Sequence, residues 1–360
     1  MQTTILINAI IIFTLAFTVS SICIPLVIKL AIKHRLFSEN GGRHVHKGYI
    51  PRLGGMAIFT GFLFSQAYFA VGHFTASDIS ETYYLIFFSI TLLFLLGILD
   101  DLINIKANLK FVLQLLIAII LVWRADIRIE SFHGLFGIDT LPLWFSYMFS
   151  ILVITFFVNA YNLIDGLDSL SSSVGIYVLA CFTGFFLWNG AYIDSMLAFS
   201  AMGALLGFWI FNKPPARIFM GDSGTLSIGL LLAYFAIRIA NLPLDEEGTF
   251  NPVFAMVVMA YPVIDTLRVF TKRILKGISP FTPDKNHIHH ALLDLGLGHG
   301  KSTLVVIVFS VFLSVIAYLL RMNQTLSFLV LVPLILFVSN IPFLILRLRN
   351  KTKKEIISKQ

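Results

Sequence analysis

Eleven long apolar runs, separated by short polar segments, leave this chain few ways to fold. They lie at 5–32, 53–72, 83–99, 109–123, 143–159, 168–188, 193–211, 224–240, 251–270, 303–320 and 326–346. A bilayer core of about 30 Å is crossed by about 20 apolar residues in a helix, so each run reads as one span. The expected fold is all-α, a polytopic integral membrane protein with eleven transmembrane helices. Composition removes the soluble alternatives. Charged residues are 12% of the chain and hydrophobic ones 58%, against roughly 25% charged in soluble domains. A soluble enzyme or a nucleic-acid-binding domain could not hide so much apolar surface, and no nucleic-acid partner is expected. The first run has no basic leader and no small-residue cleavage site, so it is expected to remain a span. Cys23 and Cys181 sit in apolar runs without disulfide or zinc spacing and read as packing residues.

The net charge of +7 is explained by topology. With the N-terminus outside, the cytoplasmic segments are 33–52, 100–110, 159–168, 211–223, 268–302 and 347–360. They hold 21 of the 26 Lys and Arg residues. Positive residues stay on the cytoplasmic side, so the N-terminus is expected outside and the C-terminus inside. Residues 1–346 read as a single transmembrane catalytic domain and 347–360 as a basic cytoplasmic tail. The outer connections are short and carry acids, namely Asp78, Glu81, Asp194 and Asp245 to Glu247. The longest, 124–142, contains Ile127, Ile129 and the Gly134/Gly137 pair, which suggest a small hairpin.

Carboxylates, amides and histidines kept by so apolar a chain point to function. Asp100-Asp101 ends the third run, with Lys110 and then Gln114 on the next helix. Adjacent carboxylates repel unless a cation offsets them, and an acid pair at a helix C-terminus opposes the macrodipole. Asn159, Asn162, Asp165, Gly166 and Asp168 crowd a loop without Lys or Arg. Two amides and two acids there can orient a polar ligand or a hydrated metal. Asn212 and the stiff Pro214-Pro215 precede Phe219-Met-Gly-Asp222-Ser-Gly, where Asp222 opens a helix. Free N–H groups at a helix start favour an anion, Asp222 can instead hold Mg²⁺, and a plain N-cap is the third reading. His287-Ile-His289-His290 follows Asp284-Lys285. Phosphate contact, a metal or a solvated basic loop would each use such residues, and zinc would need a further ligand. Lys47 and Arg52 precede Gly54-Gly55, a weak signal that topology alone also explains.

In order and spacing these motifs resemble the bacterial polyprenyl-phosphate N-acetylhexosamine-1-phosphate transferases, of glycosyltransferase family 4 type. The resemblance covers about residues 5 to 346. Asp100-Asp101…Lys110…Gln114 is similar to that family's aspartate-rich signature. Asn159…Asn162…Asp165-Gly166…Asp168 is similar to its Asn/Asp-Gly signature. Phe219 to Gly224 resembles its metal-site segment, with Asn212 in the matching place, and His287 to His290 resembles its histidine loop. Ser169 stands where the family usually has Gly. Asn104 stands where the muramoyl-pentapeptide branch has Lys, which points to the GlcNAc branch.

The resemblance implies an enzyme, a Mg²⁺-dependent phosphoglycosyl transferase, with Mn²⁺ as a substitute ion. It implies transfer of GlcNAc-1-phosphate, or another HexNAc-1-phosphate, from a UDP-HexNAc donor to undecaprenyl phosphate in the bacterial inner membrane. That is the first membrane step towards a cell-surface polysaccharide such as O-antigen. Asp222, with Asp101, would ligate the metal. Asp100 and Asp101 would sit near the acceptor phosphate, one of them as a candidate base, and Lys110 would neutralise phosphate charge. Asn162, Asp165, Gly166, Asp168 and Asn212 would line the nucleotide and metal pocket. Phe219 would stack on uracil, Lys47 would close over the uridine, and His287, His289 and His290 would contact diphosphate and sugar. A homodimer is a further expectation. The competing readings are the phospho-MurNAc-pentapeptide translocase within the family and a secondary transporter outside it. A transporter would hold its acids near the midplane of broken helices, and only Asp265, close to Arg268, fits that description.

Overall fold

Helix α8 (Gly221–Ala240) is buried on every side. A helix with no lipid or solvent face must be apolar all round, and between Asp222 and Arg238 this one carries no charge. The other helices are arranged about it in a computed structural model that describes residues 2–36, 50–73, 81–242, 252–279 and 286–357. In chain order they are α1 (Gln2–Lys33), α2 (Gly54–His73), α3 (Glu81–Ile103), α4 (Ala107–Arg124), α5 (Leu143–Leu163), α6 (Leu170–Trp188) and α7 (Tyr192–Asn212). After α8 come α9 (Pro252–Val258), α10 (Ala260–Leu275), α11 (Ile288–Asp294), α12 (His299–Leu319) and α13 (Gln324–Ile357). Helices α2, α3, α5, α6 and α9 pack against α8, while α1 packs on α2 and α7 at the periphery. Outward faces are apolar too, with Phe64, Leu152, Val308 and Phe337 exposed as lipid-facing residues would be.

Ten of these helices are long and apolar enough to cross a bilayer. The expected continuous span at 251–270 is instead a broken one: α9 and α10 meet at an angle of 76°. Pro262 accounts for the break, since it lacks the N–H that would bond the carbonyl four residues back and its ring collides there. Beyond it the run turns polar, with Asp265, Arg268, Lys272 and Arg273 on α10. The last run also differs in extent, because α13 continues as one helix into the basic tail.

Residues 124–142 form the anticipated hairpin, β1 (Ser131–Leu135) paired antiparallel with β2 (Ile138–Thr140). It is moored to the C-terminal end of α8. Asn241 Nδ2 donates to the Arg128 carbonyl at 2.7 Å, and its Oδ1 accepts from the Glu130 N–H at 3.3 Å. The hairpin is thus at one end of the molecule, and the start of α8, with the motif residues, is at the other.

Candidate active site

Gly221 begins α8 at φ +72°, where an L-residue is strained. A β-carbon there would also run into the Arg52 carbonyl and the Asp101 carboxylate. Hence the loop before α8 can lie flat against the chain entering α2. Phe219 donates its N–H to the Pro51 carbonyl at 2.9 Å, and its own carbonyl accepts from Gly54 at 3.0 Å. Gly55 donates to the Met220 carbonyl at 2.8 Å. Phe219 is held half-buried beside this join. Lys47, expected to close over the site, lies outside the described residues.

No side chain of α8's own N-cap residue, Met220, bonds its first turn. Asp101 does so from the end of α3. Its Oδ1 accepts from the Asp222 N–H at 2.8 Å, and its Oδ2 accepts from the Ser223 N–H at 3.0 Å and the Ser223 hydroxyl at 2.7 Å. The carboxylate therefore meets the positive end of the helix dipole. Asp100 faces the other way. Its Oδ1 accepts from the Ile105 N–H at 3.0 Å and its Oδ2 from Lys110 Nζ at 3.3 Å. Lys110 Nζ also donates to Asp222 Oδ2. One ammonium thus joins two carboxylates from different helices, and all three side chains keep 15–22% of their surface open.

The Asn/Asp-Gly segment closes a second side. Asn162 Nδ2 donates to the Thr225 hydroxyl at 2.6 Å, and Asn159 Nδ2 to Gln114 Oε1 at 2.7 Å. Asp165 accepts from the Ser171 hydroxyl at 2.5 Å. Burial pushes its carboxyl up to about 6, and the Asp222 charge acts in the same direction, against the pull of Ser171, Arg52 and the Gly221 N–H. Asp168 binds across two loops, accepting from the Ala216 N–H at 3.2 Å and pairing with His299 Nδ1 at 3.3 Å. Burial works to raise its carboxyl too, but the bonds from His299 and Ala216 outweigh it and hold it below the usual range. Asn212 is fully buried. Its Oδ1 accepts from Ser169 N–H and Ser172 Oγ, both at 3.0 Å, and its Nδ2 donates to the Ile218 carbonyl at 2.9 Å. It staples the α5–α6 turn to the loop that ends at Phe219.

Helix α10 supplies the third side. Asp265 is buried and accepts from His287 Nδ1 and from the Ile288 N–H, both at 2.6 Å. Tyr261, one turn earlier, lies with its hydroxyl 3.3 Å from His289 Nδ1. His289 Nε2 abuts Gly166, so the histidine loop touches the Asp-Gly turn. Ligand atoms of Asp265, His287 and His289 all lie within 4.8 Å of one another. Within the trio Asp265 and His287 are bonded directly to each other, so the group forms a hydrogen-bonded cluster. His290 stands at the edge, its ring 4.5 Å from that of His289.

Two members of this assembly had no assignment from sequence. Asp265 left one signal, an acid inside an apolar run. His299 left none, being a lone histidine whose partner, Asp168, is 131 residues away. Among described residues, the aspartate pair, Lys110, the Asn/Asp-Gly segment, Asp222 and the histidine loop all lie at one end of the bundle.

A profile of glycosyl transferase family 4 matches residues 83–240. A probable undecaprenyl-phosphate N-acetylglucosaminyl 1-phosphate transferase of Bacillus subtilis (strain 168) is 31% identical over 318 residues, covering 88% of this chain and 86% of that protein. The chain belongs to glycosyl transferase family 4. Undecaprenyl-phosphate alpha-N-acetylglucosaminyl 1-phosphate transferases of Salmonella typhi and Escherichia coli (strain K12) are 29% and 27% identical, covering 78% and 74% of the chain. They are themselves covered over 75% and 72% of their length. The chain is therefore a multi-pass membrane enzyme that transfers a phosphosugar to a polyprenyl phosphate.

Proposed function

We propose that this member transfers N-acetylglucosamine 1-phosphate from UDP-GlcNAc to undecaprenyl phosphate on the cytoplasmic face of a bacterial inner membrane. An oxygen of the lipid phosphate attacks the β-phosphorus of the donor. The bond from that phosphorus to the oxygen shared with the α-phosphorus breaks, UMP leaves, and a lipid-diphosphate-linked sugar remains. The product would open a cell-surface polysaccharide pathway. The names of the similar proteins support donor sugar and acceptor. The observation that carries the chemistry is Lys110 held between Asp100 and Asp222.

Two anions must meet in this reaction, so charge neutralisation and alignment matter more than making a nucleophile. A phosphate monoester has its second pKa near about 6 and is already largely dianionic at neutral pH. Lys110 can take one charge of the arriving phosphate, and Asp100 fixes where the ammonium sits. Asp101, with both oxygens engaged by α8, acts as a positioning residue for Asp222, which favours direct attack by the lipid over a covalent aspartyl intermediate. Carboxylates at 100, 101, 165 and 222 outnumber the nearby cations Lys110 and Arg52. That hard, oxygen-only set fits Mg²⁺ or Mn²⁺, with Asp222 as the residue that would hold the ion and Asp101 behind it. The bound ion would supply charge neutralisation of the donor diphosphate. Phe219 is the surface for the uracil ring, Asn162 and Asp165 face the nucleotide side, and Asp168 and Asn212 hold the loops that carry them.

The test is transfer by purified protein with undecaprenyl phosphate and a panel of sugar-labelled UDP donors. UDP-GlcNAc should give labelled lipid only with a divalent cation, and UDP-MurNAc-pentapeptide none. Labelled UMP should not exchange into UDP-GlcNAc until the lipid is added. Asp222→Ala should lose roughly 10³-fold or more, the rate equivalent of about 4 kcal/mol. Transfer from the pentapeptide donor, or no lipid product from any UDP-HexNAc, would overturn the reading.

A further inference from the structure

Helix α10 does more than cross or skirt the membrane: one of its faces organises the histidine loop. Tyr261, Asp265 and Arg268 follow one another at spacings of four and three residues, so they share that face. The Tyr261 hydroxyl approaches His289 Nδ1 at 3.3 Å, Asp265 holds His287 Nδ1 and the Ile288 N–H at 2.6 Å, and Arg268 Nη1 donates to the Asn286 carbonyl at 2.6 Å. Helix α10 leaves the α9 direction by 76° and presents this face to the loop. Asp265 is 0% exposed and His287 5%, so their contact is shielded from water.

From this geometry we infer that Asp265 is a positioning residue for the transfer, orienting His287 so that its Nε2 is the atom offered to the anionic diphosphate of the donor. This role rests on the transferase reading above and adds a residue to it. The two nitrogens of an imidazole are distinct, and the partner of one decides what the other can do. With its carboxylate accepting at Nδ1, Asp265 requires a proton there and leaves Nε2 on the far side of the ring. When a diphosphate binds, Nε2 takes up a proton from solvent and donates it in a hydrogen bond to the diphosphate, and the charge of the imidazolium so formed is balanced by Asp265. Among the described residues, the titratable groups facing the ring besides Asp265 are Tyr261 and Arg268 on α10 and His289 and His290 on α11, none of them a carboxylate. The second Asp265 oxygen, on Ile288 N–H, sets the start of α11 and so the height of the ring. An acid deep in an apolar run is costly unless partnered, and the histidine is its partner.

The experiment uses the full chain in detergent. Donor KM, acceptor KM and kcat are measured separately for wild type, Asp265→Asn and Asp265→Glu, and the histidine nitrogens of wild type are read by ¹⁵N NMR, with His287→Gln used for assignment. Asn can still accept the Ile288 N–H, so a purely structural role predicts wild-type donor affinity in that variant. We expect instead that Asp265→Asn keeps its helical content and thermal transition yet raises donor KM roughly 10- to 100-fold, the size of loss seen when the carboxylate behind a metal-ligating histidine is removed. Acceptor KM should not move, and Asp265→Glu should recover part of the loss. His287 should show a proton at Nδ1 in free wild type and at both nitrogens with UDP bound. A wild-type donor KM in Asp265→Asn, or an unprotonated Nδ1, would overturn the assignment. If Asp265→Asn does not fold, the wild-type spectrum still decides. If wild type transfers from no UDP-sugar, the transferase reading has failed, whereas the Nδ1 proton and UDP binding are read without turnover.

Discussion

Asp165 shows how a single side chain can be held against its own preference. Its carboxyl is pushed from 3.8 up to about 6, first by burial. An acid whose folded pKa is raised binds more protons folded than unfolded between those two values. Stability therefore falls as pH rises from about 4 to about 6 and stays at the lower level above that. In metal-free buffer, the thermal stability of Asp165→Asn relative to wild type should grow across that window and then level off. At neutral pH the variant should melt a few degrees higher while losing most of its turnover. A melting difference independent of pH, measured by a thermal scan in detergent, would contradict the burial account. Two neighbouring positions are explained by backbone conformation. Ser169 adopts φ 64° at the start of α6, and Asn104 adopts φ 52° at the end of α3. The first is a conformation that Gly takes without strain, which is a physical reason for the Gly that the resemblance leads one to expect there. The second suits Asn, which tolerates the left-handed region better than other non-glycine residues. The identity of residue 104 thus follows from helix termination as well as from any role in choosing a donor.

At the scale of elements, the site depends on backbone meeting backbone. Helix α2 begins against the first turn of α8, and a β-carbon on Gly55 would strike the Gly224 N–H and the Ser223 hydroxyl. Neither can step aside, because Ser223 is bonded to Asp101 and the α8 turn is held from α3. Gly55→Ala should cost about 1–3 kcal/mol of stability, the range for overpacking. It should also reduce turnover by moving Asp222 relative to Lys110. Thermal unfolding and lipid-product assays on one preparation would check both, and a variant with wild-type values in each would show that α2 can shift freely. The hairpin and most span boundaries were legible in sequence, because a glycine pair and the length of an apolar run are local signals. The break at Met259 was not legible as such. Apolar length counts Ala, Tyr, Pro and Val alike, whereas the helix responds to the missing N–H of Pro262.

For the whole molecule, the motif ends of α3, α4, α5, α7 and α8 and the histidine loop share one side, and the β1–β2 hairpin lies on the other. That alternation agrees with the Lys and Arg asymmetry. A reporter fused after Gln360 should be active only as a cytoplasmic reporter, and one inserted at Gly137 only as an external one. The reverse pattern would turn the active face outward. Much was legible in the chain by itself: apolar run length marks the crossings apart from the one broken at Met259, the Lys and Arg asymmetry predicts their direction, and four polar motifs resemble the signatures of one reaction class. Those are properties of composition and short spacing, and lipid enforces them strictly because an unpaired backbone has no water to turn to. What only the tertiary structure decided is which atoms meet. Asp101 and Asp100 are adjacent in sequence, yet one caps α8 and the other holds Lys110. Asp265 and His287 are 22 residues apart and share one short hydrogen bond. Asn212, expected among the substrate-binding residues, staples two loops through bonds inside the protein. The physical reason is the same each time: a helix end points its side chains by its rotation and tilt, and those are set by packing against helices far along the chain.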